Sequence, residues 1–147
     1  MFPTAWGLPV RSKTSAALIA CTLAAGSVMF SAPAASAAAY CSSSGYTAIG
    51  LPVERCTSMS NGVLLHKKDY NNPTDLWTRY DKTKGTAVSV RLGYSMSGST
   101  THSSYFTISS GGSVTKHWQK SGTYMCYSST RVLNYSGGTF QTPAAHC

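Results

Sequence analysis

Thr86-Ala-Val88-Ser-Val90-Arg-Leu92-Gly-Tyr94-Ser-Met96 is the stretch on which the fold turns. Val88, Val90, Leu92, Tyr94 and Met96 fall on one side and Ser89, Arg91, Gly93 and Ser95 on the other, the period of two expected of a half-buried β-strand. Strand signals recur on both sides of it. Cys56-Thr-Ser-Met59 and Val63-Leu-Leu-His-Lys67 flank Ser60-Asn61-Gly62, a hairpin signal because Asn and Gly tolerate positive φ. Leu76-Trp-Thr-Arg-Tyr-Asp81 lies between turns at Asn71-Asn-Pro-Thr74 and Lys82-Thr-Lys-Gly85. Tyr105–Ile108 and Val114–Gln119 around Ser109–Ser113 predict a second hairpin, and Thr123–Tyr127 with Arg131–Tyr135 a third pair. Gly137-Gly138 then leads to a tail ending at Cys147. No segment shows helical periodicity with caps. The expected fold is all-β, a small disulfide-bonded antiparallel β-sandwich of seven or eight strands over residues 53–147, with a barrel as the alternative.

The amino-terminal segment obeys different rules. Arg11 and Lys13 precede an apolar run from Ala16 to Phe30, and Ser31-Ala-Pro-Ala-Ala-Ser-Ala37 offers an A-x-A site at Ala35-Ser36-Ala37. Residues 1–37 are read as a secretory signal peptide, which makes the mature protein extracellular. The apolar run is shorter than the roughly 20 residues of a spanning helix, so no membrane anchor is expected. Cleavage before Cys21, at the lipoprotein-like Leu18-Ile19-Ala20-Cys21, would leave an apolar mature start and is disfavoured.

Removing the leader changes the arithmetic. Five cysteines become four, Cys41, Cys56, Cys126 and Cys147, an even number suited to two disulfides in an oxidising compartment. Of three connectivities the local one, Cys41 with Cys56 and Cys126 with Cys147, is favoured, since each bond would close a short loop near one chain end. Twelve Lys and Arg become ten against four acids, Glu54, Asp69, Asp75 and Asp81, a net charge of about +6. Such a domain suits an anionic surface or an acidic protein, and export makes nucleic acid the least fitting partner.

The residues expected to carry chemistry are few. Three of the acids sit in or beside turns, where they serve turn formation and salt bridging instead of a paired-carboxylate hydrolase. Gly93-Tyr-Ser-Met-Ser-Gly98 is one residue too long for G-x-S-x-G, all mature cysteines have partners, and the scattered histidines and cysteines fit no metal or cofactor site. The reading is a binding protein, not an enzyme. Its candidate contact residues are Trp77, Arg79 and Tyr80, with Trp77 and Arg79 on one strand face and Thr78 and Tyr80 on the other. Trp118 with His117 and Lys116 is a second candidate, and for either tryptophan a core position is the alternative. Residues 38–52 read as an extended amino-terminal arm with isolated anchors at Tyr46, Ile49 and Leu51, packing on its own domain or on a partner.

Two resemblances follow, both to small secreted β proteins of actinobacteria. The cysteine arrangement Cys41/Cys56 and Cys126/Cys147, with Trp77-Thr78-Arg79-Tyr80, is similar to the tendamistat-type α-amylase inhibitors, which present a Trp-Arg-Tyr triplet to their enzyme. Here Thr78 separates Trp77 from Arg79, and the motif follows Cys56. The whole precursor, leader, arm and compact disulfide-bonded β domain, resembles in architecture the small adaptor subunit of secreted umbrella toxin particles. That resemblance implies a non-enzymatic adaptor linking other secreted subunits of an antibacterial complex. The inhibitor of a secreted hydrolase is the second expectation, and a small secreted hydrolase the third.

Overall fold

The computed structural model describes residues 39–69, 73–122, 124 and 126–147. The expected signal peptide, residues 1–37, lies outside them. Nine β-strands are described: β1 Glu54–Met59, β2 Gly62–Asp69, β3 Thr74–Lys82, β4 Val88–Met96, β5 Ser99–His102, β6 Phe106–Ile108, β7 Ser113–Lys120, β8 Ser129–Tyr135 and β9 Gly138–Gln141. They form two antiparallel sheets. One has the order β1-β2-β3-β7, and the other β5-β4-β8-β9 with β6 also paired to β4.

The alternation in β4 builds the core. Val90, Leu92, Tyr94 and Met96 are buried, while Ser89 is exposed and Arg91 and Ser95 are partly so. Across the interior, Leu64 of β2 and Tyr80 of β3 meet Val90 and Leu92 of β4, Ile108 of β6 and Leu133 of β8 in one apolar cluster. The sheets therefore pack face to face as a sandwich.

The first hairpin forms between β1 and β2 with Met59 opposite Gly62, although neither Asn61 nor Gly62 takes positive φ. Gly62 is required for a different reason. A Cβ there would lie 2.2 Å from the carbonyl oxygen of Asp81 and 2.7 Å from the ring of Tyr80. Positive φ appears instead at Ser97 and Gly98, 52° and 76°, which turn β4 tightly into β5.

The other two expected hairpins are corrected. β6 pairs with β4 and β7 with β3, so Ser109–Gly112 carries the chain from one sheet to the other. Of the expected strand 123–127, the described residues Tyr124, Cys126 and Tyr127 lie outside any strand. β8 pairs with β4 and, across Ser136-Gly137, with β9, where a tail was expected. Cys41 is bonded to Cys56 and Cys126 to Cys147. No helix among the described residues is long and apolar enough to cross a membrane.

The half of the interior that holds Leu76, Tyr94 and Met96 also holds cations. Arg131 is 0% exposed, its guanidinium lying over the Tyr94 ring at 5.4 Å. It donates from Nε to the carbonyl of Trp77 at 3.2 Å and from Nη2 to that of Lys67 at 3.5 Å. Burial lowers its pKa to about 9. Lys68 is buried as well and donates to the carbonyls of Tyr124 and Tyr127. Burial first, and Arg131 second, lower its pKa to about 8.

His66 completes this group, hydrogen-bonded through Nε2 to Ser129 Oγ at 2.9 Å. Burial, then Arg131 and Lys68, hold its pKa well below the ordinary 6.5. The unfolded chain thus takes up a proton as the pH falls through 6.5 while the folded chain does not. Stability from this group is complete above that pH and is lost below it. Denaturant titrations between a pH of about 7.5 and about 5.5 should show a loss of up to about 1.4 kcal/mol per pH unit. The His66→Gln variant should flatten that slope; an unchanged slope would place the acid sensitivity elsewhere.

Candidate functional site

Register fixes what the outer face of the four-stranded sheet displays. Pairing of β1, β2, β3 and β7 aligns Glu54, Lys67, Trp77 and His117 in one row, and Cys56, Leu65, Arg79 and Thr115 in the next. Ser58, Val63, Asp81 and Ser113 form the row beyond, and Asp69 opposes Asp75 on the far side.

Half of this face is covered by the chain itself. Val63 and Leu65 are buried with Cys56 beneath Ala39 and Cys41, so the first disulfide lies directly on the sheet. The backbone N–H of Ala39 donates to Asp81 Oδ2 at 3.3 Å. Asp81 Oδ1 accepts from Arg79 Nε at 2.6 Å and from Ser113 Oγ at 2.5 Å.

The other half is open and centres on Trp77. Its Nε1 donates to Asp69 Oδ2 at 3.2 Å, which fixes the ring. Lys67 Nζ lies 5.6 Å from the ring centroid on one side, and the His117 ring 6.3 Å away on the other. Lys67 is held 2.8 Å from Asp69 and 3.9 Å from Glu54, and the hydrogen bond to Asp69 raises its pKa. His117 Nδ1 lies 3.1 Å from Asp75 Oδ2. The result is a half-exposed aromatic ring framed by the Lys67–Asp69 ion pair and the His117–Asp75 contact, a form suited to docking.

The sequence candidates separate here. Trp77 and Arg79 share this outer face, so the core alternative for Trp77 is corrected: the core positions of β3 are Thr74, Leu76, Thr78 and Tyr80. Tyr80, expected as a contact residue, is 1% exposed inside the main apolar cluster and offers a partner no surface. Trp118 turns inward and packs edge-on against Tyr94 at 5.4 Å, whereas His117 faces out beside Trp77. Lys67 escaped the sequence reading. Its alternation with Asp69 was visible, but only the β2–β3 register places it against Trp77.

The arm folds back as successive turns closed by Cys41–Cys56. Gly45 N–H bonds to the Ser42 carbonyl, Gly50 N–H to that of Thr47, and Cys56 N–H to that of Gly45. Tyr46 lies under the guanidinium of Arg55 at 3.8 Å, and Arg55 donates to the carbonyls of Gly45 and Ser44. Ile49 and Leu51 stay in water, 66% and 47% exposed. Between arm and sheet lies a pocket of about 270 Å³ bordered by the hydroxyls of Ser42, Ser43, Ser44, Thr57 and Ser58. None of these side chains is an acid or a base near neutrality, so the pocket supplies no proton-transfer group.

The outer face of the second sheet carries a smaller patch. Tyr105, 54% exposed, donates from its hydroxyl to Asn134 Oδ1 at 2.8 Å, and the Arg91 guanidinium lies 5.0 Å from its ring. Among the described residues no cluster of three His, Cys, Asp or Glu side chains could hold a metal ion. The chain matches no family model, no curated protein and no solved structure.

The first disulfide is what seats the arm on Val63 and Leu65. Replacing Cys41 and Cys56 together by Ala should cost about 3 kcal/mol in a urea titration. It should also raise binding of a hydrophobic dye, as Val63 and Leu65 become wet. Unchanged stability and dye binding would show that the arm is held by other contacts.

Proposed function

We propose that this chain is a secreted, non-enzymatic adaptor that joins other secreted proteins, as a subunit of an extracellular antibacterial toxin complex. One observation carries the proposal: both outer faces of the sandwich hold an aromatic ring flanked by a cation and fixed by a hydrogen bond. Trp77 has Lys67 and Asp69 on the first sheet, and Tyr105 has Arg91 and Asn134 on the second. An adaptor needs two such surfaces, and a β-sandwich presents them on opposite sides without conformational change. Ile49 and Leu51 add apolar anchors on a loop held by a disulfide, which lowers the ordering cost of binding.

The inhibitor reading is supported by a separate observation. Trp77 and Arg79 project from the same side of one strand in a domain with two sequential disulfides. The two readings differ in stoichiometry: an inhibitor needs one surface and one hydrolase.

Affinity purification of the tagged full chain from producer culture supernatant separates them. The adaptor should recover at least two different large secreted proteins. Trp77→Ala should release one of them, and the pair Arg91→Ala with Tyr105→Ala the other. In each variant stability should stay within about 0.5–1 kcal/mol of the parent, as for surface positions. Ile49→Asp with Leu51→Asp should weaken one interaction while leaving the fold and the first disulfide intact. Recovery of a single stoichiometric hydrolase supports the inhibitor, and recovery of the monomer alone contradicts both readings.

A further inference from the structure

Among the described residues the outer backbone edge of β7 has no partner strand. β7 pairs through Thr74–Asp81 with β3, and among the described residues its other side pairs with nothing. At eight residues it is twice the length of β5 or β9, the four-residue strands that bound the second sheet. The opposite edge of its own sheet is not equivalent. β1 is capped by the arm, through the Cys56 N–H to Gly45 bond and the Tyr46–Arg55 bridge, and by Thr57 Oγ1 bonding to the Gln141 carbonyl at 2.8 Å. In an antiparallel ladder alternate residues turn both N–H and C=O outward, so about four residues of β7 present unmet backbone pairs.

The charge on the inward side of this edge is one-signed. Ser113–Lys120 contains Lys116 and Lys120 and no acid. Both ammonium groups lean across the gap between the sheets, Lys116 Nζ 5.5 Å from the Phe106 ring centroid and Lys120 Nζ 5.7 Å from that of Tyr94. All four acids of the chain, Glu54, Asp69, Asp75 and Asp81, project from the outer face of β1, β2 and β3, where Asp75 meets His117 and Asp81 meets Ser113 on the side of β7 away from Lys116 and Lys120. The second sheet has none and contributes Arg91 and Arg131.

We propose that β7 is a strand-addition site whose occupant is an extended acidic segment of another secreted protein. The inward-leaning lysines choose among the strands that could add. A second copy paired antiparallel about Trp118 would set Lys116 opposite Lys120, and like charges directly opposed destabilise a ladder. A strand with carboxylates at alternate positions sets them against the same two ammonium groups. Backbone pairing supplies attachment, and Lys116 and Lys120 supply selection by sign. This inference extends the adaptor reading by giving one contact a mode and a chemistry, but its test does not use the adaptor's partners.

The test uses the full mature chain, isotopically labelled, with a blocked synthetic peptide Thr-Glu-Val-Glu-Val-Glu-Val-Thr and its Lys-for-Glu counterpart as probes. The acidic peptide at saturation should slow amide exchange by about tenfold or more at alternate residues of 113–120, leaving β1 and β9 unchanged. The Lys counterpart should give no protection. Lys116→Glu with Lys120→Glu should reverse this preference, and Lys116→Gln alone should weaken acidic-peptide binding without reversing it. Three results overturn the proposal: no protection of β7, equal protection by both peptides, or β7 protection in a concentration-dependent dimer without peptide. If the peptide binds as described but purification recovers only monomer, the strand-addition site stands and the adaptor reading falls.

Discussion

The sandwich depends on a guanidinium placed where a cation is least at home. Arg131 projects from β8 into the interior, where Nε and Nη2 donate to backbone carbonyls of the facing sheet, those of Trp77 on β3 and Lys67 on β2, and Nη1 donates to that of Thr130 on its own strand. Burying a charge costs several kcal/mol unless it is hydrogen-bonded, and removing its acceptors would leave that cost uncompensated. The two sheets are thereby tied at one relative position, because carbonyls at other registers would not meet the fork. The bond also reaches the surface. Lys67 and Trp77 are the residues whose side chains form the open half of the outer face, so the cation that fixes the interior fixes the backbone under the candidate contact patch.

This explains which parts of the structure could be read in advance. The inward set of β4 was legible because period-two alternation reports burial directly. β5 and β9 were not, since they are short and mostly exposed, and with Phe140 as their single large apolar side chain they carry no alternating signal. Ser109–Ser113 reads locally as a hairpin turn, yet its flanking strands join different sheets. Partner choice is a long-range matter decided by which faces can be buried together. The contact residues show the same division. The sequence separated Trp77 and Arg79 from Thr78 and Tyr80, but only packing decides which pair faces inward, and the small Thr78 and Leu76 beside Tyr80 fill the interior better than Arg79 could. Arg and Lys are seldom fully buried, so residue type gives no sign that Arg131 and Lys68 lie inside with His66; the pairing of β8 to β4 and of β2 to β3 carries them there.

The arm illustrates how a disulfide converts a weak pattern into a defined surface. Residues 39–52 contain too few apolar side chains to fold alone, and turns do not persist in isolation. Cys41–Cys56 ties them to β1, and Cys56 is itself 0% exposed against Val63 and Leu65. The bond lets Ala39 and Cys41 cover that apolar strip while Ile49 and Leu51, on the outer turn, face water. A segment with two exposed aliphatic residues is thus held in place without using them.

Charge distribution then distinguishes the surfaces. Ten Lys and Arg against four acids in residues 38–147, a net charge of about +6, suggest a uniformly basic domain, but Lys68, Lys82 and Arg131 are buried, and every acid is on one face of one sheet. Around Trp77 the Lys67 ammonium is matched by Asp69 and Glu54, so docking there would not rest on net attraction and would depend on the fit of the ring. Among the described residues no ion pair involves Lys116, Lys120 or Arg91, and on the strand-addition proposal long-range attraction there would favour an acidic partner before contact. In the proposed adaptor one surface would therefore select by shape and the other by sign. Two partners of different chemistry can occupy such a domain together without competing.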